Sequence, residues 1–161
     1  IMYVANIAEG QIANANVEQL KSHIGKPQAI LIPVSAKIEE DLIEFSQQEA
    51  IDYLSDLGIK ESGLKNLIRA AYDVLGLHTF FTAGEKEVRA WTIRKGWTAP
   101  KAAGVIHTDF EKGFIRAEVI AYSDYTSYGS EAKVKEAGKM RVEGKNYIVK
   151  DGDVMHFLFN V

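Results

Sequence analysis

Cysteine is absent from the 161 residues, which excludes a disulfide framework, a thiolate zinc site and a cysteine nucleophile. No run approaches the roughly 18–20 continuous apolar residues that a membrane-spanning helix needs. The phosphate-cradling pattern G-x-x-x-x-G-K-[ST] is missing, so no local feature holds a triphosphate. The nucleophile elbow G-x-S-x-G is missing as well, which removes the usual start of a serine triad. His23, His78 and His156 lie far apart without metal-ligand spacing, and no metal is assigned to the chain. No internal repeat or low-complexity segment occurs. What remains is 47% apolar and 25% charged residues with a formal net charge of −3, the balance of a folded soluble protein and not of a disordered one. The expected location is the cytoplasm, with no membrane partner.

Charge divides unevenly. Residues 1–76 hold 6 Lys/Arg against 11 Asp/Glu, a net of −5, and residues 77–161 hold 13 against 11, a net of +2. The first half reads β-α-β and then helices. Ile1–Ala5 and Ala29–Val34 are short, nearly continuous apolar runs, the pattern of strands buried on both faces of a parallel sheet. Val17, Leu20 and Ile24 between them mark one face of a short helix, so the two strands are expected to be parallel through a right-handed crossover. The chain opens directly in the first of these runs, without a cap or lead-in, as a segment of something longer would. Residues 38–57 look helical and acidic, closing at Gly58. Ser62 caps a clear amphipathic helix with Leu64, Leu67, Ile68, Ala71, Tyr72 and Leu75 on one face and Gly76 at its stop.

The second half changes period. Thr79–Thr82 and Val88–Ile93 flank Ala83-Gly84-Glu85-Lys86, a hairpin connection. Thr98 and Pro100 open a short helix ending near Ile106. Phe114–Ala121 alternates with Phe114, Arg116 and Glu118 on one face, and Tyr147–Val149 and Val154–Phe159 flank the turn Lys150-Asp151-Gly152-Asp153. Two strands, a helix and further strands describe a β-grasp, the ubiquitin-like α+β roll.

Several residues invite a chemical reading. Asn6 ends one apolar strand and Ser35-Ala36 ends the next, and ligands of open parallel sheets sit at such carboxyl ends. The loop Asn6-Ile7-Ala8-Glu9 offers an amide and a carboxylate that could read a purine, although an Asx-type turn accounts for so short a pattern more simply. His107-Thr108-Asp109 is read as a capped loop. Glu39, Glu40, Asp41 and Glu44 suit a solvated helix N-terminus. Lys133, Lys135, Lys139, Arg141 and Lys145 form the densest basic run. Glu131, Glu136 and Glu143 interleave with it, so a solvated face is the default and a phosphate-contacting patch the alternative. Trp91 and Trp97 are read as packing residues, with base stacking the alternative.

Longer stretches carry more information than these short patterns. Thr79–Trp91 (TFFTAGEKEVRAW), Ala99–Glu118 (APKAAGVIHTDFEKGFIRAE), Glu136–Arg141 (EAGKMR) and Lys150–Val161 (KDGDVMHFLFNV) resemble the C-terminal portion of the YchF family, the Obg-like ATPases among the translation-factor-related P-loop GTPases. The resemblance covers essentially the whole chain. It implies that residues 1–77 are the C-terminal part of an Obg-type nucleotide-binding domain with a helical connection, an α/β fragment holding the last strands and helices of a doubly wound sheet. It implies that residues 78–161 are a TGS domain, a β-grasp module. Asn6, Ile7 and Glu9 stand where the family carries N-x-x-E in place of the guanine-reading N-K-x-D, and Ser35 and Ala36 stand at its next motif. All five are thereby expected to bind the base. Guanine offers N1–H and N2–H₂ to a carboxylate, and altering that position shifts preference toward adenine. The implied function is ribosome-associated binding and hydrolysis of ATP, with GTP as an alternative nucleotide and Mg²⁺ as the intact protein's cofactor. Lys133, Lys135, Lys139 and Arg141 are the candidate RNA or ribosome contacts. Catalytic residues have no counterpart here, so this chain is expected to be inactive alone. The alternative is a non-catalytic TGS-type module that binds ribosome or RNA without nucleotide.

Overall fold

A computed structural model describes residues 1–26, 28–84 and 87–160. The chain divides into two compact units, Ile1–Leu75 and Gly76–Val161. The expected hairpin tip at Glu85-Lys86 and the terminal Val161 lie outside the described residues.

The first unit starts with β1 (Met2–Asn6), α1 (Glu9–Ile12), α2 (Val17–Ile24) and β2 (Ile30–Val34). The two strands pair in parallel with Asn6 opposite Val34, as the β-α-β pattern requires. Asn16 caps α2 by accepting from the Gln19 amide at 3.0 Å. The expected burial on both strand faces does not hold: Leu31 is buried, but Val4 is 51% exposed and Ile30 is also open. Two strands, with α2 and α5 packed on β2, leave part of the sheet surface uncovered.

The acidic stretch forms three pieces and not one helix: α3 (Ala36–Asp41), a 3₁₀ turn (Leu42–Glu44) and α4 (Gln47–Asp56). The break comes from Ser46, whose Oγ accepts from the Glu49 amide while Glu49 Oε2 accepts from the Ser46 amide, a capping box that starts a new helix. Then α5 (Gly63–Leu75) follows the Ser62 cap. Its first residue must be small, because a Cβ on Gly63 would sit 2.9 Å from Val34 Cα. The apolar stripe of α5 is largely open, with Leu64, Ile68 and Leu75 exposed.

The second unit contains β3 (Leu77–Ala83), β4 (Val88–Arg94), α6 (Ala99–Ala103), α7 (Thr108–Lys112), β5 (Phe114–Ala121), α8 (Tyr122–Tyr128), α9 (Glu131–Glu136), β6 (Arg141–Glu143) and β7 (Asp153–Phe159). The strands form one mixed sheet in the order β4-β3-β7-β5-β6, with β3 and β7 parallel at its centre. A hairpin, a helix and returning strands around a parallel central pair make a β-grasp-like unit. Phe80, Ile93, Ala99, Ala102, Ala103, Phe114, Ala117, Val119, Val149, Met155 and Phe157 form its main core.

Three details depart from the sequence reading. A register shift between Phe114 and Arg116 on β5 turns Phe114 into the core beside Ala117 and Val119 and leaves Ile115 exposed; the extra residue of a bulge resets the alternation. Tyr147–Val149 joins no ladder. It makes one bridge, Ile148 with Thr98, and is held by Ala99 and Val149 amides bonded across that bridge. The strands that pair with β5 are β6 and β7. No element is read from the sequence between Ala121 and Tyr147, where the fold forms α8, α9 and β6; Val134, fully buried, anchors α9.

Candidate functional site

The carboxyl ends of β1 and β2 are joined by one side chain. Asn6 Oδ1 accepts a hydrogen bond from the Ala36 amide at 3.1 Å, and the Ile7 amide donates to the Val34 carbonyl at 2.8 Å. Asn6 and Ile7 border an open cleft of about 500 Å³ whose other walls include Gln11, Asn14, Gln19 and Leu20. The lining is amide-rich with two aliphatic side chains, able to donate to and accept from a planar heterocycle and to pack on its face.

Glu9 is oriented differently. Its Oε1 accepts from the Tyr53 hydroxyl at 3.0 Å, and the same hydroxyl lies 3.3 Å from Asp41 Oδ2. Partial burial, then the Glu9 carboxylate and Asp41, push that hydroxyl up to about 12. Asp41 in turn pairs with Lys37 Nζ at 2.6 Å. Glu9 therefore does not border the cleft. Ser35 is 3% exposed and its Oγ finds no hydrogen-bond partner among the described residues; it stands immediately before α3 without a side-chain cap bond. Of the five expected base-binding residues, the fold gathers Asn6, Ile7 and Ala36, and turns Glu9 and Ser35 elsewhere. Gln11, Asn14 and Gln19 also line the cleft and Tyr53 holds Glu9, and the sequence reading named none of the four. The run of amides from Gln11 to Gln19 was the available signal for the first three; Tyr53 lies far along the chain and had none.

In the second unit Lys133, Lys135 and Lys139 are exposed. Arg141 is not a free cation: its guanidinium donates to Tyr147 Oη at 3.2 Å and lies 3.5 Å from both Asp153 and Glu143. Asp153, 3% exposed, also accepts from the Tyr147 hydroxyl at 2.7 Å and the Lys150 amide at 2.8 Å. Burial and the Asp153 carboxylate push the Tyr147 hydroxyl up to about 12, against the opposing pull of Arg141. His107 Nδ1 accepts from the Asp109 amide at 3.2 Å at the start of α7, a local cap. Among the described residues no group of three or more His, Asp or Glu is placed to hold a metal ion. Among the same residues no helix is long and apolar enough to cross a membrane.

Comparison with known proteins gives one consistent answer. The family described as YchF-GTPase_C, "Protein of unknown function", matches residues 77–160. The chain is 58% identical over 161 residues to the "Ribosome-binding ATPase YchF" of Pasteurella multocida, covering 99% of this chain and 44% of that protein. It is 53% identical over 165 residues to the protein of the same name from Bacillus subtilis, covering 100% of this chain and 45% of that one. The chain thus spans less than half the length of the curated relatives it matches. Among solved structures it resembles the YchF GTPase of Schizosaccharomyces pombe, with a TM-score of 0.80 and 41% identity over 98% of this chain and 43% of that one. A GTP-binding protein from Pyrococcus horikoshii, 21% identical with a TM-score of 0.63 over 99% of this chain and 46% of that one, shares the fold.

Proposed function

The chain belongs to the YchF-GTPase C-terminal family, and from that premise we propose that it works as the C-terminal part of a ribosome-associated, cytoplasmic nucleotide hydrolase. ATP is the preferred nucleotide and GTP the secondary one. The first unit is the end of the doubly wound nucleotide-binding sheet and reads the base; the second is a TGS module that contacts ribosome or RNA.

The observation that carries this reading is the Asn6–Ala36 bond. It ties two parallel strand ends together beside a cleft bordered by Asn6 and Ile7, the place where open parallel sheets bind ligands. The held-back Glu9 supports the choice of adenine. A carboxylate drawn to Tyr53 and outside the cleft lining is turned away from guanine N1–H and N2–H₂, and a lost hydrogen bond in a site built on them discriminates strongly. Phosphate positioning and charge neutralisation by Mg²⁺, which dominate phosphoryl transfer, belong to residues outside this chain.

The test is calorimetric titration of ATP–Mg²⁺ and then GTP–Mg²⁺ into this chain and into the chain extended by the upstream segment its relatives carry. Binding by the extended protein alone, with ATP preferred, is the expected result. Hydrolysis by the isolated chain above contaminant level would overturn it. A second reading, an interaction module that needs no nucleotide, draws support from the β-grasp-like unit's own separate core. Equal sedimentation of the chain with ribosomes with and without nucleotide, and no nucleotide binding by the extended protein, would favour that second reading.

A further inference from the structure

Three side-chain amides in the cleft beside Asn6 and Ile7 are free. Gln11, Asn14 and Gln19 belong to its lining, and among the described residues their side chains take part in no hydrogen bond. The two other amides of the lining are half engaged: Asn6 Oδ1 accepts from the Ala36 backbone amide and Asn16 Oδ1 from that of Gln19. Gln11 and Asn14 stand one turn apart, because the Asn14 backbone amide donates to the Gln11 carbonyl at 3.3 Å. That spacing makes their side chains neighbours.

The lining selects by what it contains. It carries no charged side chain. Glu9 is drawn to Tyr53, and Glu18 is paired with Lys21 at 3.2 Å; none of the three charged residues borders the cleft. A phosphate or a carboxylate finds no counter-ion there, whereas a neutral heterocycle finds a donor and an acceptor in every amide. The volume of about 500 Å³ suits a small ligand, whose clefts run from about 300 to 1,000 Å³. Ile7 and Leu20 supply apolar surface for a ring face. Adenine presents an amine next to a ring nitrogen, the donor–acceptor pair that an Asn or Gln amide meets with two bonds. Guanine presents the adjacent donors N1–H and N2–H₂, which call for a carboxylate that the lining lacks.

We propose that Gln11 and Asn14 determine the choice of base, their carbonyl oxygens accepting from the adenine N6 amine and their NH₂ groups donating to its ring nitrogens. The proposal rests on the reading that the first unit binds the base, and it gives the discriminating contacts to the turn that follows Asn6 and Glu9. Asn6, its oxygen already accepting from Ala36, ties the strand ends together; Gln11 and Asn14 meet the ligand.

Exchanging an amide for a carboxylate keeps the shape and the acceptor and removes the donor. In the upstream-extended protein, Gln11→Glu with Asn14→Asp should lower the ratio of ATP to GTP affinity by about tenfold or more, since a carboxylate accepts from guanine N1–H and N2–H₂. Calorimetry with ATP–Mg²⁺ and GTP–Mg²⁺ reads the ratio. Repulsion of the triphosphate by the added charge, or general damage to the site, weakens both nucleotides alike and leaves the ratio where it was. Gln11→Ala with Asn14→Ala, which adds no charge, should weaken ATP by about tenfold and GTP by less than about threefold. Gln47→Glu, the same change on α4 outside the cleft lining, should leave the ratio within about twofold. Circular dichroism checks that each variant is folded. If the ratio does not move in either double variant while the unsubstituted extended protein binds ATP, Gln11 and Asn14 do not read the base and the proposal fails, with base binding by the first unit intact. If the unsubstituted extended protein binds neither nucleotide, the underlying reading fails with it.

Discussion

Asn6 at the end of β1 holds the first amide of α3 through a single 3.1 Å bond from Ala36. A side chain from one strand thereby sets the position of the loop that leaves the other. Asn6→Ala removes the acceptor and leaves the Ala36 amide to find water. A stability loss of about 1 kcal/mol is expected, with ATP binding by the upstream-extended protein lost at concentrations that saturate the wild type. Thermal denaturation and calorimetry measure the two effects. Unchanged ATP affinity in a folded variant would remove Asn6 from the base site.

Tyr53→Phe releases Glu9 from its 3.0 Å bond while keeping the ring that packs edge-on against Phe45. With its carboxylate free, Glu9 should gain access to guanine, and the ratio of GTP to ATP affinity in the extended protein should rise severalfold. A ratio that does not move would show that Tyr53 has no part in nucleotide choice.

Tyr147 joins β7 to the loop before it through Asp153. Folding raises the hydroxyl from its ordinary 10 to about 12, so the folded state holds that proton more tightly. The sign follows: this stabilisation is complete below pH 10, declines as pH rises and is gone above about 12. Tyr147→Phe should cost about 1–3 kcal/mol at neutral pH, because the buried Asp153 loses a donor, and should flatten the fall of Tm between pH 10 and 12. An equally steep fall in the variant would assign the alkaline loss elsewhere, with Tyr53 as the other raised hydroxyl.

Gly113 precedes β5 and exchanges a backbone bond with Asn160, whose amide donates to the Gly113 carbonyl at 2.9 Å. A Cβ at this position would run into the Asn160 backbone, and backbone cannot swing aside as a flexible side chain does. Gly113→Ala should destabilise the second unit by about 1–3 kcal/mol, read from the urea midpoint. A neutral substitution would mean that the β7 end can shift freely.

Local patterns carried much of the fold. The parallel β1–β2 pair, the α5 cap, the β3–β4 pair and the strand from Phe114 to Ala121 all follow from periodicity and turn chemistry within a few residues. The misses share a cause. The Phe114 bulge, the bridge that replaces a strand at Ile148 and the short ladder at β6 depend on which distant segment lies alongside, and no short window of residues contains that partner. The candidate site divides in the same way. The meeting of Asn6 and Ala36 was legible because strand ends in a β-α-β unit converge, whereas Glu9 looked free until Tyr53, 44 residues away, came to meet it.

Residue order alone dictated that β1 and β2 run parallel, that α5 starts after Ser62 and that β3 and β4 pair, since each rests on local sterics, hydrogen bonding and composition. Which polar groups are free and which are engaged was settled by packing. Arg141 is bound to Tyr147 and Asp153, Glu9 is held by Tyr53, and Arg89 rests on Trp91, because the availability of a charge depends on the neighbours that folding brings within about 3–4 Å.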